Sequence, residues 1–176
     1  RDFYNPYDDP LGQEEKLTKL FKDAIEQSYS EDAIEFSKYD LVVVFHAGIG
    51  QDFSLPFLDP TPEDIPSTYI DKDMIQEHLG ELNIIVGNHA IQKGIILPET
   101  QNHLLYDISE TMFSDAENPC EYQYGITGTF SLMIGFAIGL PPLWNIQTGE
   151  SGVGVFGLMD QGSNLSLIHI SEPTRL

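Results

Sequence analysis

This chain is poor in positive charge. Its 176 residues carry 28 Asp and Glu against 8 Lys and Arg, a formal net charge of −20. Such a balance cannot neutralise a run of phosphates, which argues against nucleic acid or an anionic membrane surface as partner. It suits an acidic exported protein. The single cysteine, Cys120, excludes an internal disulfide and a thiolate metal cluster. Long apolar runs are lacking too. The uncharged stretch from Tyr122 to Gly149 has an apolar core only from Phe130 to Leu140, short of the roughly 20 residues a membrane span requires. The pair Pro141-Pro142 ends it and no Lys or Arg flanks it, so Gly135-x-x-x-Gly139, although it matches a membrane-helix packing motif, is read as part of a buried helix whose glycines let a sheet approach closely. His46, His78, His89 and His103 form no i,i+4 pair, and no carboxylate sits at a metal-ligand spacing from them. The length suits one domain with a sizeable core. A start at Arg1 without a leader pattern reads as an internal fragment.

Three blocks carry what positive information there is. The first is Gly128-Thr-Phe-Ser-Leu-Met-Ile-Gly-Phe-Ala-Ile-Gly-Leu-Pro141. Zinc peptidases of the zincin type place two His one helical turn apart, with a Glu beside them as general base, in H-E-x-x-H. A glycine exit and a third ligand often follow. Here Gly139 and the Leu140-Pro141 exit are in place, but Leu132 and Phe136 occupy the His positions, Met133 the Glu position and Pro142 the third-ligand position. None of these can move a proton or hold zinc. The second block is Asp40-Leu-Val-Val-Val-Phe-His-Ala-Gly-Ile-Gly50. The third is Thr148-Gly-Glu-Ser-Gly-Val-Gly-Val-Phe-Gly-Leu-Met-Asp-Gln-Gly-Ser163, with a G-x-x-x-L-M-x-x-G core. In this order and combination the blocks resemble the immune-inhibitor-A-like metallopeptidases, secreted bacterial zincins, over roughly the second half of the chain plus one strand of the first.

The resemblance implies an α/β (α+β) fold: a zincin-like upper subdomain with a mixed twisted sheet, packed helices and a buried former active-site helix. It implies one peptidase-like domain over residues 1–164, truncated at both ends, from a secreted or cell-envelope bacterial protein whose signal peptide lies upstream. Met159 would be the counterpart of a Met-turn, and His46, Gly48 and Gly50 would lie at a cleft edge. With the ligands replaced, the expectation is a pseudopeptidase without zinc that binds an extended peptide or protein segment along a sheet edge. The alternative is an active secreted zinc metalloendopeptidase whose ligands are unrecognised or lie outside the fragment. The family also uses structural calcium, but Asp52, Asp59, Glu63, Asp64, Asp71 and Asp73 do not follow an EF-hand pattern and read as a solvated acidic loop. Residues 165–176 break the family pattern. The string Ser166 to Arg175 resembles a translated sequencing-adapter read-through, which reads as a non-native tail; the alternative is a genuine exposed tail, and on either reading the segment, His169 included, is set aside from function.

Periodicity supplies the remaining expectations. Leu17, Leu20, Phe21, Ala24 and Ile25 predict a helix over 11–29. The β-branched run Leu41 to Phe45 predicts a central strand buried on both faces. Pro56, Pro60, Pro62 and Pro66 forbid regular structure through most of 48–70. A short helix is expected over 71–79, strands over 82–86 and 89–97 (the second around Gly94), a helix over 125–138 and Gly-rich turns over 149–162, with 106–113 ambiguous. Gly48-Ile-Gly50 has Phe53 at the third glycine position of a dinucleotide fingerprint and a Pro-rich loop in place of a helix. The glycines after Thr148 lack the Lys of a P-loop, and Ser151 is in no nucleophile elbow. Leu132 and Phe136, one turn apart, are expected to plug the former site, each contributing about 1.5–3 kcal/mol if fully buried. The alternative is a dry pocket of Met133, Phe136, Trp144 and Met159. His46 is expected to bond a loop carbonyl.

Overall fold

A computed structural model describes residues 12–52, 64–101 and 125–163. Most of the Pro-rich loop, the ambiguous 106–113 segment, Cys120, His103, Asp59, Glu63 and the tail lie outside them. The protein is mixed α/β, with three helices, a three-stranded sheet and a two-stranded one among the described residues. It divides into two compact units, Arg1–Ala47 with Glu63–Pro98, and Gly48–Pro62 with Glu99–Leu176.

The first unit is built on helix α1, Gln13–Asp32. Leu17, Phe21 and Ile25 recur every four residues, so they stack on one face, and all three are buried. Thr18 is also buried and returns its hydroxyl proton to the Glu14 carbonyl (2.7 Å). Helix α2, Lys72–Leu79, starts at Asp71, whose carboxylate accepts from the Met74 N–H (2.9 Å) as an N-cap, and stops at Gly80 in the left-handed region (φ 69°). The two helices are tied by Lys22 to Glu81 just beyond α2 (2.5 Å) and His78 to Glu14 (3.2 Å). The strands are β1 (Val42–Ile49), β2 (Thr68–Ile70), β3 (Ile84–Val86), β4 (His89–Ile91) and β5 (Gly94–Thr100). Their order in the larger sheet is β1-β5-β2, with β2 antiparallel to β5 in the register Thr68 to Ile96 and Ile70 to Gly94. β3 and β4 form an antiparallel hairpin whose turn begins with Gly87 at φ 58°, a backbone angle that costs glycine nothing. Leu17, Phe21, Ile25, Ile70, Ile75, Ile84 and Ile96 fill one core.

Three expectations are corrected here. β1 is not a central strand: among the described residues it pairs on one side only, with β5, and Phe45 is 60 % exposed. A continuous β-branched run cannot by itself distinguish a covered strand from an edge. The segment expected as one arm around Gly94 is two strands, β4 and β5, broken at Gln92-Lys93. The acidic run is not a uniformly solvated loop. Asp71 caps a helix and Asp64 is 4 % exposed. Asp52 is half-buried.

The second unit is organised by helix α3, Thr127–Ala137, which buries Gly128, Thr129, Leu132, Met133, Gly135 and Ala137. Its exit is a Schellman closure: the Leu140 N–H donates to the Gly135 carbonyl, the Gly139 N–H to the Phe136 carbonyl (both 2.9 Å), and Gly139 takes φ 88°. Of the two glycines of the Gly135-x-x-x-Gly139 motif, only Gly135 admits a close neighbour, which is the 157–163 segment rather than a sheet, and Gly128 does likewise; Gly139 has open space where a Cβ would stand. A Cβ on Gly135 would meet Met159 Sδ at 2.4 Å, and one on Gly128 would meet the Ser163 carbonyl oxygen at 2.0 Å. The Gly-rich stretch carries short 3-10 turns at Gly154–Phe156 and Gln161–Ser163. Trp144 faces Ser151 in a small antiparallel bridge, supported by Asn145 N–H to the Glu150 carbonyl (2.8 Å).

Candidate functional site

Two of the four positions expected at a former zinc site, Leu132 and Met133, border a pocket. Leu132 and Met133 of α3 form one apolar side of a hollow of about 370 Å³, with Trp144 beside them. Asp52, Thr129, Gly149, Asp160, Gln161 and Ser163 complete the lining. Phe136 instead sets its ring edge-on against Trp144, centroids 5.9 Å apart at 80°, a favoured aromatic geometry that fixes the indole. Met159 is buried behind the helix, beneath Gly135. Leu132 and Met133 are both buried; polar groups share the lining of the hollow with them and with Trp144, and neither Phe136 nor Met159 lines it. Pro142 is half-buried on the chain leaving α3. A Leu, a Met, a Phe and a Pro offer zinc no set of basic donors, so these residues do not fit the metal. Among the described residues no group of three or more His, Cys, Asp or Glu comes together.

The polar wall has two parts. In the first, buried Gln101 uses its amide nitrogen to donate to Asp52 Oδ2 (2.7 Å) and to Thr129 Oγ1 (2.8 Å). This chain of bonds anchors the Asp52 carboxylate to α3 one turn before Leu132. In the second, Asp160 folds the 151–163 segment around itself. Its Oδ2 accepts from the N–H groups of Gly152 (3.0 Å), Val153 (2.8 Å) and Gly154 (2.9 Å) and from the Ser151 hydroxyl (2.9 Å). Its Oδ1 accepts from the Gln161 N–H (2.8 Å). Successive backbone N–H groups make a concave anion seat, here filled by the protein's own carboxylate. Burial alone would push this carboxyl up. The donors from Val153, Ser151, Gly154 and Gln161 outweigh it and hold the carboxyl down at about 2, against an ordinary 3.8.

A depressed carboxyl contributes stability above its unfolded value that is lost as pH falls through the folded one. Asp160→Asn is therefore expected to lower Tm at neutral pH, and the gap from wild type should narrow between pH 3.8 and about 2. Thermal melts followed by Trp144 emission check this. A gap that stays constant through that window would rule out Asp160 as the latch of this segment.

The proposed cleft-edge residues lie in different settings. His46 places Nδ1 3.1 Å from the Ala47 carbonyl and Nε2 3.2 Å from the Ile65 carbonyl. A neutral ring carries one N–H and donates to one of them at a time. Gly48 stands at φ 94°, with its N–H 3.4 Å from Glu99 Oε2. Gly50 donates to the Thr100 carbonyl (3.0 Å). None of the three lines the hollow. Sequence reading missed Asp160, Gln101, Thr129 and the position of Asp52. For Asp160 there was a cue, since consecutive glycine-flanked N–H groups at 152–154 need an acceptor and the next carboxylate in sequence is Asp160. For the Gln101 linkage there was none, because its members come from three separate segments. Comparison with known proteins adds no relative: no family model, no curated protein and no solved structure matches this chain.

Proposed function

We propose that this is a peptidase-like domain of an exported bacterial protein that has lost its zinc ligands and general base and holds an extended peptide or protein segment without cutting it. The observation that carries the reading is the hollow at Leu132 and Met133. The recess is open and half-polar and lies beside an indole held edge-on by Phe136, which supports a binding role at the positions that the resemblance assigns to the zinc helix. Recesses with apolar walls and a few anchored polar groups are the usual form of a binding site. No helix among the described residues is long and apolar enough to cross a membrane.

Metal content tests the proposal. After incubation with zinc and gel filtration, the domain is expected to retain less than about a tenth of an equivalent, because a zinc site needs three or four basic ligands. It should also leave a fluorogenic peptide uncut, with or without chelator. One tightly held zinc per chain, or chelator-sensitive hydrolysis, would overturn this reading in favour of an active metalloendopeptidase.

A further inference from the structure

Strand β1 has an outer edge that no described strand covers. Backbone groups along a strand point alternately to its two sides. The Val42 carbonyl faces β5, its oxygen 2.9 Å from where a Cβ on Gly94 would stand. Val44 and His46 therefore face β5 as well, and the N–H and C=O groups of Val43 and Phe45 point outward. Protein edges are commonly blunted by short length, Lys, Pro or a bulge. β1 is eight residues long, and its Val42–Ala47 stretch has neither Lys nor Pro. Beside it, between β1 and the second half of α1, lies a groove of about 450 Å³ lined in part by Ile25, Ile34, Phe36 and Val44. Glu31 and Asp32 stand in the same lining, and among its described residues there is no Lys, Arg or His. Gln27, a neutral donor, bonds Glu31 (3.3 Å), and Lys38, the nearest cation in sequence, is paired with Glu35. The two acids end α1, whose last turn holds no base, and the helix carbonyls there add partial negative charge.

We infer that this edge takes an extended, basic segment of a partner protein as an added strand on Val43 and Phe45, with a Lys or Arg stem in the groove and its cationic head at Glu31 and Asp32. An extended backbone is what pairs with outward N–H and C=O groups at every second residue. A Lys or Arg side chain matches the apolar wall and the acidic rim together. A second copy would instead bring its own net charge of −20 against that rim. The surface shares no residue with the hollow of the second unit, so it stands or falls apart from the reading above.

The test uses the full chain and three blocked peptides: Thr-Lys-Val-Lys-Val-Thr, a counterpart with Glu for both Lys, and one with Pro for both Val. Binding is read by calorimetry and by amide hydrogen exchange. The lysine peptide is expected to bind at least about tenfold more tightly than the glutamate one, because charge complementarity suppresses the wrong partner. Proline should abolish binding, since it removes the ladder donors. At saturation the Val43 and Phe45 amides should exchange at least about tenfold more slowly, while those of Val44 and His46 should not change. Glu31→Gln combined with Asp32→Asn should erase the charge preference, and removing acids from a helix C-terminus does not threaten α1. Glu77→Gln on the exposed face of α2 should keep it. No binding of the lysine peptide, equal binding of the lysine and glutamate peptides, a preference that survives the double variant, or unchanged exchange at Val43 and Phe45 would each overturn the inference. So would slow exchange at these two amides before any peptide is added. A dimer by light scattering would then assign the edge to a second copy, and a monomer to another segment of this chain.

Discussion

Replacing Phe21 by alanine is expected to cost about 3–5 kcal/mol, the range for removing a fully buried phenylalanine. Phe21 has no exposed surface and lies in the core of the first unit. Its ring covers Gly94 at the start of β5 so closely that a Cβ there would meet Phe21 Cζ at 2.0 Å. The missing side chain of Gly94 and the ring of Phe21 are therefore one packing solution. Truncating the ring leaves a cavity between α1 and the sheet that neither rigid element can close, and cavity volume adds to the lost transfer energy. Against a total stability of about 5–15 kcal/mol for a typical domain, the loss is large enough to read directly in urea unfolding by far-UV circular dichroism. A loss below about 1 kcal/mol would mean that the α1–sheet interface is not the core of this unit. Gly94→Ala should be destabilising on its own, and less so in the Phe21→Ala background. Residues in direct contact are not additive, although the Val42 carbonyl, 2.9 Å from the added Cβ, keeps part of the penalty.

The second large effect is expected at Gly128. A methyl group there would sit 2.0 Å from the Ser163 carbonyl oxygen, a backbone atom, so the Gln161–Ser163 turn must move away from α3. Alanine gains up to about 1 kcal/mol over glycine in a helix interior. Overpacking costs typically about 1–3 kcal/mol and occasionally more, and at this distance from backbone the loss wins. Gln161 and Ser163 line the hollow, so Gly128→Ala should shift Trp144 emission as well as lower the urea midpoint. Gly135→Ala is the informative comparison. Its methyl would meet the end of the Met159 side chain, which can re-rotate, so the penalty should be smaller. A Gly128→Ala protein as stable as wild type would show that the 157–163 segment does not rest on α3 as described.

Leu132, Met133, Phe136, Pro142 and Met159, the positions expected around a former zinc site, are distributed unequally by the fold. Leu132 and Met133 line the hollow, Phe136 fixes Trp144, Met159 fills the space left by Gly135, and Pro142 lies on the exit from α3. The polar side of the hollow takes Thr129 from the first block and Gly149, Asp160, Gln161 and Ser163 from the third, and adds Asp52, which no block contains.

Local sequence was sufficient wherever a feature depends on neighbours in the chain. The spacing of Leu17, Phe21 and Ile25 dictates the buried face of α1, and Gly139 with Pro141 ends α3, because periodicity and capping are set within a few residues; Asp71, read as a loop acid, proved to be the N-cap of α2. Tertiary structure alone decided that β1 is an edge among the described strands, that Gln101 joins Asp52 to Thr129, and that the hollow is open and half-polar. Each of these depends on which distant segments meet, and the free energy that selects those meetings comes from shape and hydrogen bonding between surfaces, not from any pattern along one strand or helix.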